Sequence, residues 1–197
     1  MGFSQEDESE KPEAAWENPV LVIVRGIKYN ESYKMLTGGI CMGSYLNPGN
    51  EAFAVALNSE IYVDKTGLLT YTNKVMNTLQ GYICNSRPRR FGKSFAANML
   101  AAYYSKGCDS RKMFSGLAIS QTADFEKHLN QYDVIHLDIQ WFLSNVSDPE
   151  QIVAYITECT LAELRTIYAD QLPPEVSTVP DALSRIKEAT GQLSLIH

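Results

Sequence analysis

Ser86-Arg87-Pro88-Arg89-Arg90-Phe91-Gly92-Lys93-Ser94 is the stretch on which the reading of this chain turns. Its last eight residues meet the phosphate-binding spacing G-x-x-x-x-G-K-[ST] everywhere except at the first position, where Arg87 stands. Each piece has a physical use. Gly92 lets the main chain approach a phosphate with no Cβ in the way. Lys93 can reach β- and γ-phosphates as a point charge, and the Ser94 hydroxyl suits Mg²⁺. Both belong on the first turn of a helix, whose free N–H groups and positive dipole end attract anions. Arg87 cannot adopt the positive φ of a glycine without strain. Instead, the guanidinium forks of Arg87, Arg89 and Arg90 suit phosphate oxygens in place of backbone contacts. Four cations fall within these seven residues, 87–93, and repel one another unless an anion sits among them. The candidate site is therefore Arg87, Arg89, Arg90, Phe91, Gly92, Lys93 and Ser94.

The surroundings matter more than the pattern, because such a loop must follow a strand and open a helix. Tyr82 to Asn85 reads as a short strand. From Gly92 to about Ser105 the residues Phe95, Met99, Ala102 and Tyr103 are spaced for one buried helix face, and Gly107 ends it. Val134 to Ile139 is the clearest strand, apolar and β-branched. Asp138 lies near its end, where ligands gather in open α/β sheets. It is the weak candidate for a catalytic or metal-side acid, with a structural hydrogen-bonding role as the alternative. Asn50 is placed to cap a helix through Leu57, and Thr66 to cap another carrying Leu68, Leu69, Val75, Met76 and Leu79 up to Gly81. Ser147 and Glu150 match a capping box before a helix with Ile152, Ile156, Cys159, Leu164 and Ile167. A last helix spans Asp181 to Thr190. This alternation predicts an α/β fold with a mostly parallel sheet flanked by helices.

Bulk properties exclude several classes. At 197 residues and 45% hydrophobic, the chain suits one domain with a tail. A net charge of −6 argues against general nucleic-acid coating, so any basic patch is local. Cys41, Cys84, Cys108 and Cys159 form no C-x-x-C pair and have no histidine at ligand spacing, which argues against zinc. Free thiols and the lack of a targeting segment predict a cytoplasmic protein. The longest apolar run, Val20 to Val24, is far below a membrane span, so no membrane partner is expected. Residues 1–41 read as an acidic extension, disordered over 1–19, and 42–197 as the globular domain.

At the loop the resemblance becomes specific. Ser86 to Ser94 is similar to the signature of the AAA-ATPase-like family of bacterial P-loop proteins. Tyr62-Val63-Asp64-Lys65-Thr66 resembles that family's VDKT element, and the run around Asp138 its next strand. The similarity extends from about Met42 to His197. It implies a P-loop NTPase-like fold, ATP and Mg²⁺ as ligands, Lys93 on the phosphates and Ser94 on the metal. Members often carry a PD-(D/E)XK nuclease-like domain further on, a route to nucleic-acid partners. Their Walker B acid follows a segment like Ala189 to Ile196 and is not seen here, so the resemblance implies an incomplete domain that binds nucleotide and hardly hydrolyses it. Two other readings stand beside this one: a phosphate- or nucleic-acid-backbone-binding module without turnover, and an inactive gene fragment.

Overall fold

A computed structural model describes residues 19–25, 44–76, 78–86, 88, 91–190 and 194–195, with no side-chain account of 19–25 or 194–195. Two cores lie on opposite faces of one strand. Strand β2 runs Val134–Asp138, and because successive side chains alternate across a strand, Val134 and Ile135 face different layers. Val134 joins Phe53, Leu69, Met99, Tyr103, Tyr104 and Phe114. Ile135 joins Leu46, Leu161, Leu164, Leu172, Leu183 and Ile186.

Strand β1, Pro19–Arg25, lies parallel to β2, with Leu21 opposite Val134 and Arg25 opposite Asp138. A two-residue strand β3, Ser194–Leu195, pairs parallel with β1 on its far side. The segment read as an acidic extension, 1–41, thus contributes β1 beside β2; its other residues, with most of the stretch expected to be disordered, lie outside the described residues. The second edge of β2 is also taken. The Asn47 N–H donates to the Val134 carbonyl at 2.7 Å and the His136 N–H to the Tyr45 carbonyl at 2.7 Å, with Leu46 bridging Ile135 in the antiparallel sense.

That leaves no ladder position on β2 for Tyr82–Asn85, which the sequence reading made a strand. It is irregular, with Tyr82 59% and Ile83 42% exposed. The run is β-prone, but among the described residues it pairs with no strand.

Helices pack on either side. Helix α1 is Glu51–Leu57 and α2 is Gly67–Val75. Asn50 takes the N-cap position of α1 as read, but its side chain makes no cap bond; the amide donates instead to the Asp109 carbonyl and to Ser110 Oγ. Helix α2 ends at Val75, short of Gly81; Met76 just beyond it is still buried in the core, whereas Leu79 is 91% exposed. Helix α3, Lys93–Tyr104, is buried on several sides, through Ala96, Ala97, Met99, Ala101, Ala102, Tyr103 and Tyr104. Its C-terminal tyrosines clip α2: Tyr104 Oη donates to Asn73 Oδ1 at 2.6 Å, and Asn73 Nδ2 donates to Tyr103 Oη at 3.1 Å. Short helices α4 (Arg111–Phe114) and α5 (Phe125–His128) lead to β2, and α6 (Ile139–Ser144) leaves it. A single 3₁₀ turn, Pro149–Gln151, opens α7 (Ile152–Ile167); Asp148 caps that turn, not Ser147, accepting from the Glu150 N–H at 3.0 Å. Helix α8 is Val179–Thr190. Among the described residues, no helix is long and apolar enough to cross a membrane.

A carboxylate on α7 holds the segment that covers the second edge of β2. Glu163 accepts from the N–H groups of Ser44 (2.6 Å), Tyr45 (2.9 Å) and Leu46 (2.8 Å). Charge-assisted bonds of this kind are the stronger ones, and removing the acceptor leaves the N–H groups unsatisfied. Glu163→Ala is therefore expected to cost about 2–3 kcal/mol in urea unfolding. A loss under about 0.5 kcal/mol, the level of an ordinary surface change, would show that the clasp carries nothing.

Candidate phosphate-binding site

The loop reaches α3 through Gly92, whose φ of +77° is the left-handed conformation that a residue with a Cβ adopts only at a cost. Its carbonyl accepts the first bond of α3, from the Ala96 N–H at 2.9 Å. Lys93 and Ser94 thereby fall on the first helical turn, where N–H groups have no partner inside the helix. The helix start is legible in the spacing for this reason: a glycine before a helix former sets the turn locally. Phe91, just before it, is 61% exposed, and its N–H reaches the Pro88 carbonyl at 3.4 Å. The Lys93 ammonium also donates to the Pro88 carbonyl, at 3.2 Å. Arg87, Arg89 and Arg90 lie outside the described residues.

A second segment crosses this turn: in the sequence its Asp64 reads as a cap for the helix opened at Thr66 or as a nucleotide or Mg²⁺ contact, and its Lys65 carries no role. Lys65 donates from Nζ to the Phe91 carbonyl at 3.4 Å, and Nζ stands 5.6 Å from the centroid of the Phe95 ring. An ideal Cβ built on Gly92 would lie 2.7 Å from Lys65 Nζ. Gly92 is therefore needed twice, for its φ and for the room it leaves to a cation. Phe95, on the first turn of α3, rests against Tyr62 at 5.8 Å and Phe53 at 5.7 Å between ring centroids. The aromatic floor under Lys65 is thus continuous with the core.

The neighbouring Asp64 fixes the segment. Its Oδ1 accepts from the Thr66 N–H (2.8 Å) and the Thr66 hydroxyl (2.7 Å), and its Oδ2 from the Ala118 N–H (2.8 Å). Thr66 Oγ1 in turn accepts from the Ile119 N–H at 3.1 Å. Burial alone would raise the Asp64 carboxyl; the bonds from Ala118 and Thr66 outweigh it and hold the group below the ordinary carboxylate value. Asp64 thus ties 62–66 to the 3₁₀ turn Ala118–Gln121.

Asp138, the weak catalytic candidate, ends β2 and starts α6. Its Oδ1 accepts from the N–H groups of Gln140 (3.1 Å) and Trp141 (3.3 Å). Oδ1 thus serves the opening turn of α6. His128, which carries no signal in the sequence, is buried against Tyr132, its Nδ1 bonded to the Tyr132 hydroxyl.

A left-handed glycine sets Lys93 and Ser94 on the first turn of α3, as a phosphate-binding loop requires, and the segment before it, 82–85, is not a strand. The sequence model of the AAA-ATPase-like family, described as a predicted AAA-ATPase, matches residues 51–194, and the chain belongs to that family. Membership points to a P-loop fold and to an ATPase-like domain over the matched residues. Searches of curated proteins and of solved structures gave no match.

Proposed function

We propose that this chain is a cytoplasmic ATP-binding domain whose nucleotide, with Mg²⁺, is held by residues 87–94. The observation that carries the reading is the left-handed turn at Gly92, which sets Lys93 and Ser94 at the start of α3. The residues suit the ligand. Lys65 rests on a loop carbonyl, a neutral acceptor at 3.4 Å, and an anionic phosphate oxygen makes a bond roughly twice as strong. Lys93 would hold phosphate and Ser94 the metal, with Arg87, Arg89 and Arg90 adding charge and Phe91 flanking the turn. The exposed thiol of Cys84 suits a reducing compartment. When bound, ATP with Mg²⁺ supplies a phosphoryl group open to attack by water.

Calorimetry with ATP and Mg²⁺ tests the reading. Lys93→Ala is expected to weaken binding by roughly 2–4 kcal/mol, the loss of a charge-assisted contact; equal affinity in both forms would overturn the assignment. Phosphate release is expected near background: Asp138 is the strand-end acid downstream of the loop among the described residues, and its Oδ1 is given to the N–H groups that open α6. Turnover that depends on Lys93 and vanishes in Asp138→Ala would instead make Asp138 the metal-side acid.

A further inference from the structure

We infer that Lys65 is a second phosphate-binding cation, so that the anion meets two separate segments, 62–66 and 91–94, and not the loop alone. The inference rests on the ATP-binding reading above and extends its site to a residue far from the loop in sequence. Three observations carry it. Lys65 Nζ lies over the Gly92 turn, donating to the Phe91 carbonyl at 3.4 Å, while Lys93 donates to the Pro88 carbonyl at 3.2 Å. The two ammoniums thus approach one short loop from different elements, which an anion between them would favour. The position of Lys65 is also built. Its neighbour Asp64 is held by three hydrogen bonds from Thr66 and Ala118, and its own cation sits over the Phe95 ring, itself packed on Phe53. Finally, a side chain at Gly92 would displace this ammonium, and the residue there is a glycine.

A lysine held on a carbonyl oxygen is a point charge with donors to spare, whose partner can be exchanged without moving the backbone. Lys65 therefore reads charge, not the base. Its contribution is the same for ATP and for a phosphate chain that lacks the nucleoside.

The experiment uses the wild-type chain first. An amine-acylating reagent is applied with and without inorganic triphosphate, and the modified lysines are read by mass spectrometry. Lys65 and Lys93 should both be protected, while the exposed Lys74 and Lys127 acylate at an unchanged rate. Protection of Lys93 without protection of Lys65 overturns the inference and leaves the ATP-binding reading standing. Protection of neither overturns both. Calorimetry then compares Lys65→Met and Lys65→Arg. The methionine variant should lose about tenfold or more in affinity for ATP and for inorganic triphosphate alike, and the arginine variant should regain most of it. A loss confined to ATP would make Lys65 a nucleoside contact and overturn the charge-reading role. Should Lys65→Met fail to fold, the acylation pattern of the wild-type chain still decides the matter.

Discussion

Gly92→Ala is expected to abolish useful nucleotide affinity while leaving the protein folded. At φ of +77° an alanine costs about 1–2 kcal/mol, because its Cβ crowds the following carbonyl. The new methyl would also lie 2.7 Å from Lys65 Nζ, closer than any stable contact. The ammonium is the far end of a flexible side chain, so it swings away at little expense to stability. The expense falls on the site: either the turn relaxes and Lys93 and Ser94 shift off the first turn of α3, or Lys65 leaves. Affinity for ATP with Mg²⁺ should fall on the order of a hundredfold, with unfolding shifted by only about 1–2 kcal/mol. Gly92→Asn separates the two causes, since asparagine tolerates the left-handed region but still carries a Cβ. Calorimetry beside a thermal melt checks both numbers. A Gly92→Ala protein that binds as tightly as wild type would show that neither the turn nor the Lys65 position matters to the ligand.

Phe53→Ala should produce the largest loss of stability, about 3–5 kcal/mol. Phe53 is fully buried, stacked on Phe114 at 4.9 Å and 17°, and tilted against Phe95 at 5.7 Å. Truncation leaves a cavity between α1, α3 and α4 that rigid neighbours cannot close. Domains of this size are typically stable by about 5–15 kcal/mol, so the variant would sit near the edge of folding. Phe53→Leu keeps most of the volume and should cost less than about 1.5 kcal/mol. Chemical denaturation gives both values, and a Phe53→Ala loss below about 1 kcal/mol would mean that the aromatic floor under α3 is not a packed unit. Because Phe95 connects this floor to Lys65, the alanine variant should also bind ATP more weakly at temperatures where it is still folded.

What could be read from the sequence divides along a physical line. The start of α3 and the strand Val134–Asp138 were legible because each depends on local chemistry: a glycine hinge before helix formers, and a β-branched apolar run. The burial of Met99, Ala102 and Tyr103 followed from helical spacing. Tyr82–Asn85 was misread because a strand exists only with a partner to pair with, and β-prone residue types do not name that partner. Asn50 stands at the cap position read for it, but its amide found Asp109 and Ser110, partners that sequence distance hides, in place of the helix N–H groups. Leu79 looked like part of a buried stripe, but α2 had already ended at Val75. At the site, Lys93 and Ser94 could be placed from spacing alone. Lys65 could not, since its position over Gly92 depends on how Asp64 pins 62–66 to Ala118. The run that contains it was visible as a motif, with nothing in one sequence to say which of its side chains meets the loop.

The parallel pairing of β1 with β2 sets a timetable for the chain during synthesis. Pro19-Val20-Leu21-Val22-Ile23-Val24-Arg25 is made early, yet its partner begins at Val134. At about 5–20 residues per second, the interval between them is on the order of 5–20 seconds. Throughout that time an apolar, strand-prone segment has no ladder to join, while α1 to α5 are completed in order behind it. A segment in that condition is the natural object of a chaperone's attention, and the natural seed of aggregation when chaperones are saturated. In refolding from denaturant the same pairing closes a long loop late, so the sheet, not the phosphate loop, should be what the protein waits for.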